Sequence, residues 1–179
     1  MICVESGSVE SAKILINAGA STNIINNVGF TPLHQAAAHG AVDVAEVLIN
    51  HEADINTTDK SGHTPLHVAS VQDGREMIRL LVKHGAMLER QDRNGNTALL
   101  LAAQSGQSDT LKEIIKLGGE VDVIDKDDRS PLYLAVEKGH INCIKVLCSS
   151  YKIYIVLCIC IIYAWFIYYW YCFEGVIEE

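Results

Sequence analysis

The sequence predicts an all-α solenoid: short helix–turn–helix units stacked in register, joined by β-turn loops, and followed by a separate apolar segment. Three observations predict it. Thr31, Thr64, Thr97 and Ser130 recur at intervals of 33, as do Leu33, Leu66, Leu99 and Leu132, and Ala36, Ala69, Ala102 and Ala135. Helix punctuation sits at fixed places, a hydroxyl residue (mostly followed by Pro) at the start and Gly between the two apolar stretches. The run Ile153–Phe173, by contrast, holds 21 residues without charge, Gly or Pro. A period of this length means units that bury their apolar stripes only against their neighbours.

The elements follow in order. Unit 1 (about residues 1–28) reads as the latter two-thirds of a repeat, with Met1 in the column of His34. In unit 2 (29–61), Thr31 caps a first helix and Pro32 suits its first turn. Leu33, Ala36 and Ala37 share one face, and the small alanines let a neighbouring helix approach. Gly40 ends this helix, and Val44, Val47, Leu48 and Ile49 form the stripe of a second. The stretch HEADINTTDKSG is rich in turn-forming residues. Glu52 stands where other units have Gly19, Gly85 and Gly118, which implies modest strain. In unit 3 (62–94) the inter-helix glycine moves to Gly74, so Asp73 is expected to take the left-handed conformation. Unit 4 (95–127) reads Thr97-Ala98-Leu99-Leu100. Unit 5 (128–148, partial) reads Ser130-Pro131-Leu132-Tyr133 and keeps register through Leu147. The array thus holds three full and two partial units in a domain spanning 1–150, cut inside a repeat at both ends, as a fragment of a longer chain would be.

The motif Thr-Pro-Leu-His, intact at Thr31–His34 and Thr64–His67, resembles the ankyrin repeat together with the period of 33, over residues 1–148. The resemblance implies a concave groove for a protein partner, lined by loop tips and first-helix ends. These positions differ from unit to unit, as positions free of packing duty would. The tips carry Asn27, Val28 and Phe30; Lys60, Ser61 and His63; Arg93, Asn94 and Asn96; Lys126, Asp127 and Arg129. The helix ends carry His39; Val71 and Gln72; Gln104 and Ser105; Glu137 and Lys138.

No constellation for catalysis emerges. The motifs GxSxG, HExxH, GxxxxGK[ST] and GxGxxG are absent. His34 and His67 belong to the repeat motif, and the other histidines lack partners at metal-ligand spacing. Asp59, Asp92 and Asp125 recur once per loop, far short of a calcium site, and suit a turn-stabilising role. The six cysteines contain no CxxC pair and five crowd the C-terminal end, which fits a reducing cytosol or nucleus. No signal peptide is recognisable. The net charge of −8 with no basic block argues against nucleic acid. The expectation is a non-catalytic protein-interaction module with no cofactor, metal or small-molecule substrate.

The tail, residues 151–179, admits three readings. As a helix, 153–173 would span about 32 Å, close to a hydrocarbon core of about 30 Å. The repeats would then face the cytosol on a membrane-tethered adaptor, or on a fragment of a larger membrane protein. As a cap it would cover the end of unit 5, although its apolar residues show no clean helical or strand period. As translated non-coding sequence its Ile, Tyr, Phe, Cys and Trp content would reflect AT-rich codons. An enzyme domain outside the given sequence is also compatible with the array.

Overall fold

The computed structural model describes residues 8–150. The start of unit 1 and the tail, including the candidate transmembrane segment 153–173, lie outside the described residues. Among the described residues there are nine helices and no strand. They are α1 (Val9–Asn17), α2 (Pro32–His39), α3 (Val42–Asn50), α4 (Pro65–Val71), α5 (Arg75–Lys83), α6 (Ala98–Gln104), α7 (Ser108–Lys116), α8 (Pro131–Glu137) and α9 (Ile141–Ser150). Each first helix and each second helix begins 33 residues after its predecessor. None of them is long and apolar enough to cross a membrane.

The helices pack in two rows. First helices α2, α4, α6 and α8 stack on one another, second helices α1, α3, α5, α7 and α9 do likewise, and the two helices of a unit pack together. Between the rows runs one core that includes Leu33, Leu66 and Leu99, with Ala36, Ala69, Ala102 and Ala135 fully buried at the closest approaches. Burying a Leu side chain contributes roughly 1.5–3 kcal/mol, and here each does so partly against a neighbouring unit.

Each first helix starts as its sequence requires. Thr31, Thr64, Thr97 and Ser130 accept a hydrogen bond from the N–H three residues on. In units 2 and 3 the histidine completes a reciprocal cap: the Thr31 N–H donates to His34 Nδ1 (3.2 Å) and the Thr64 N–H to His67 Nδ1 (3.1 Å). The opposite ring nitrogen then donates to the following loop, His34 Nε2 to the His63 carbonyl (2.9 Å) and His67 Nε2 to the Asn96 carbonyl (3.0 Å). This network selects the neutral Nε2–H tautomer. Burial agrees, holding both imidazoles below the usual histidine value.

Two special backbone positions were read from sequence, with different outcomes. Glu52 does take the left-handed conformation of its glycine counterparts (φ 62°), a costly state for a residue with Cβ. Asp73 does not: among the described residues the non-glycine positive φ angles belong to Glu52 and Asp128. Instead α4 stops at Val71, Gln72 is extended (φ −101°, ψ 169°), and Gly74 caps α5. A Cβ on Gly74 would meet the Ala69 carbonyl oxygen at 2.7 Å, so the shifted glycine supplies room rather than handedness. The altered turn releases the Val71 and Gln72 carbonyls, which Gln107 Nε2 and Thr110 Oγ1 of unit 4 take up at 3.2 Å each.

Candidate functional site

The loop tips are built by four equivalent acceptors. Asn26 Oδ1 accepts the Val28 and Phe30 N–H groups; Asp59, Asp92 and Asp125 Oδ1 each accept the N–H groups two and four residues on. A backbone bond from the first residue's N–H to the fifth residue's carbonyl closes the turn, as from Asp92 N to the Asn96 carbonyl (2.9 Å). The recurrent aspartates are therefore turn-formers. For Asp92 and Asp125, burial alone would raise the carboxyl, but hydrogen bonds outweigh it and both are held below the usual carboxylate value.

Successive tips are bonded to one another. Lys60 N donates to the Val28 carbonyl (3.3 Å), Arg93 N to Ser61 (3.0 Å) and Lys126 N to Asn94 (3.0 Å). The fit leaves no room for side chains beneath: a Cβ on Gly29, Gly62 or Gly95 would lie 2.8–2.9 Å from those nitrogens. A second ladder ties the far ends of the loops. Asn23 and Asn56 each donate to a carbonyl of the next unit (Glu52, Gly85) and accept an N–H from it (Asp54, Met87). Glu89 keeps only the accepting half, towards Glu120 N. The tips thus form a continuous, hydrogen-bonded row.

The expected binding residues divide on that row. Asn27, Val28, Lys60, Ser61, Arg93, Asn94, Lys126 and Asp127 are exposed, and so are His39, Val71, Gln72, Glu137 and Lys138 on the helix ends. Gln104 and Ser105 are half-buried, the Gln104 carbonyl accepting from His140 Nε2 (3.0 Å). Phe30 is half-buried and stacks on His34, with ring centroids 5.3 Å apart. Arg129 is held by Asp125 (2.8 Å) and Asp127 (3.0 Å).

Asn96 corrects the expectation of a groove-lining residue. It is buried, its amide donates to Asp92 Oδ2 (3.0 Å), and its carbonyl anchors His67. Its column varies between units, but in unit 4 it serves the loop itself. His63 also differs from its sequence reading, lying 3.4 Å from Asp59 and 3.2 Å from Asp92 of the next loop. Each ring nitrogen faces one carboxylate, so the trio works as a bridge between loops. Among the described residues no group of three His, Cys, Asp or Glu side chains is arranged to hold a metal ion.

One residue outside the predicted set joins the surface. Tyr133 occupies the column of His34, His67 and Leu100, all buried, yet is 54% exposed. Its departure from the Thr-Pro-Leu-His pattern was the available signal.

The family model for ankyrin repeats (three copies) matches residues 1–92 and 87–156. The chain belongs to the ankyrin-repeat family. A comparison with curated proteins returned no match. Ankyrin repeats generally mediate protein–protein interaction and are, as a family, non-catalytic modules. The ankyrin framework accounts for the tip ladder, the Thr-Pro-Leu-His caps and the alanine contacts, and leaves the exposed tip side chains as the individual part of this chain.

Proposed function

We propose that this chain is a non-catalytic binding module that holds a protein partner along its loop tips and first-helix ends. The observation that carries the reading is the tip row. Four loops are locked to one another by backbone bonds, while the side chains of Lys60, Ser61, Arg93, Asn94, Lys126 and Asp127 stay exposed on the row. A rigid frame that presents exposed side chains lowers the ordering cost of association. Placing a photo-crosslinking residue at Ser61 or Asn94, and in parallel at the exposed Glu46 or Lys112 of the second helices, tests it. The reading expects one protein to be captured from the tip positions and to bind the purified chain. Capture from the second-helix positions alone would refute it.

A second reading adds a tether. It rests on the uncharged 21-residue run Ile153–Phe173 and places the repeats on the cytosolic side of a membrane; without the tether they are cytoplasmic or nuclear. Membrane fractionation of the full chain against residues 1–148 tests it: loss of membrane association on truncation supports the tether, and identical soluble behaviour sinks it.

A further inference from the structure

We infer that the partner offers an extended acidic segment with a carboxylate at every third residue, seated across Lys60, Arg93 and Lys126; the inference rests on the tip row being the binding face. The three cations occupy one column at intervals of 33 and are exposed. Among the described residues the ion pairs engage other cations, among them Arg75, Arg79, Lys112, Arg129 and Lys138. Two of the three are fixed without being neutralised. Lys60 Nζ donates to the Asn27 carbonyl and Lys126 Nζ to the Arg93 carbonyl, both at 2.7 Å. A carbonyl holds an ammonium group in place yet leaves its charge and two further donors available.

The acidic residues of the same loops are turned the other way. Asp59, Asp92 and Asp125 spend Oδ1 on backbone N–H groups inside the turn. Asp125 is in addition neutralised by Arg129. Each of these tips therefore sends its carboxylate inward and its cation outward, against a chain whose net charge is −8. The contrast weakens at unit 5, where the exposed Asp127 and Asp128 flank Lys126. Lys60 and Arg93 are accordingly the stronger anchors.

Spacing sets the partner's pattern. Packed helices lie about 8–10 Å apart, and stacked units place their tips at a similar separation. A chain in the polyproline II form has three residues per turn and advances about 3.1 Å per residue, so every third side chain lies on one face and meets the next cation. Nucleic acid fits less well. A single column of three cations neutralises few phosphates, and the one tip phenylalanine, Phe30, is stacked on His34 rather than offered to a base.

Fluorescence anisotropy on the full-length chain decides it, using a labelled peptide of Glu-Ser-Gly triplets, its Gln-Ser-Gly counterpart, an isomer with the glutamates in one block, and single-stranded RNA. The triplet Glu peptide should bind about tenfold or more tighter than the Gln peptide, and weaken about tenfold as salt rises from roughly 50 to 500 mM. K60E/R93E should lose that binding, and the second-helix pair K83E/K112E should keep it. Equal affinity for the Glu and Gln peptides, or full binding by K60E/R93E, would overturn the inference. The clustered isomer binding as well as the spaced one, or RNA binding more tightly than either, would also overturn it. If these peptides fail while a protein still crosslinks to Ser61 and Asn94, the tip row remains the binding face and only its acidic partner is lost.

Discussion

Units 2 and 3 carry a histidine after Thr-Pro-Leu, whereas units 4 and 5 carry Leu100 and Tyr133 at that column. The helices begin in the same register in both halves. In the first half, His34 and His67 reach across to the next loop. In the second half the loop side keeps its tip ladder, through Lys126 N and Glu120 N, but has no such histidine, and further cross-unit bonds lie elsewhere. Gln107 and Thr110 bind unit 3 and His140 binds the Gln104 carbonyl at the turns between helices, and Arg79 on α5 meets Glu113 on α7 through two bonds of 2.6 and 2.7 Å. Both halves thus carry polar bridges between neighbours beyond the tip ladder, and the place in the unit that supplies them differs. Where the loop side loses its histidine, apolar burial of Leu100 takes over.

The comparison can be broken at several points, of decreasing effect. Leu100 is fully buried, so Leu100→Ala should cost about 3 kcal/mol in denaturant unfolding, whereas Tyr133→Ala, at the same column but exposed, should cost less than about 0.5 kcal/mol. Equal losses would mean that the two units are not packed differently. Gly95→Ala should cost about 2 kcal/mol, because a Cβ there meets Lys126 N at 2.8 Å and φ is +83°. At Asp128, in the same column, the left-handed residue already has a Cβ, and Asp128→Ala should cost visibly less.

His67→Leu would copy unit 4 into unit 3. It strands the Asn96 carbonyl and the Thr64 N–H, at a cost of about 1–2 kcal/mol near neutral pH. Its pH dependence has a definite sign. Burial holds His34 and His67 below 6.5, the value an unfolded histidine takes, so the unfolded chain binds the protons first. The stability they contribute is present above pH 6.5 and is lost as pH falls through and below it. Unfolding titrations should show that loss in the native chain and a flatter profile in H34L/H67L between pH 7 and 5. Glu52→Gly is the smallest change and the one expected gain, about 0.5–1 kcal/mol, from relief of the left-handed strain at φ 62°.

What the sequence made legible is what the period repeats. The helix starts, the alanine contacts, the turn-forming aspartates and the strained Glu52 each show as a column, or as a break in one, at intervals of 33. What it hid depends on contacts between units. Asp73 escapes the left-handed conformation because α4 ends early and unit 4 satisfies the released carbonyls. Asn96 looked free because its column varies, yet its side chain completes the Asp92 turn. His63 gained a second carboxylate, Asp92, from a loop that the chain reaches only 29 residues later. Variation within a column is thus a weaker sign of a binding residue than variation combined with exposure, which Lys60, Arg93 and Lys126 satisfy.

The central claim is that the tip row, and not the outer helices, meets the partner. Amide NMR of the ¹⁵N-labelled chain, titrated with the protein captured from Ser61 and Asn94, tests it most directly. The account predicts perturbations concentrated at residues 60–63, 93–96 and 126–129 and at the ends of α4 and α6. Perturbations confined to α3, α5 and α7, with the tips unmoved, would contradict it.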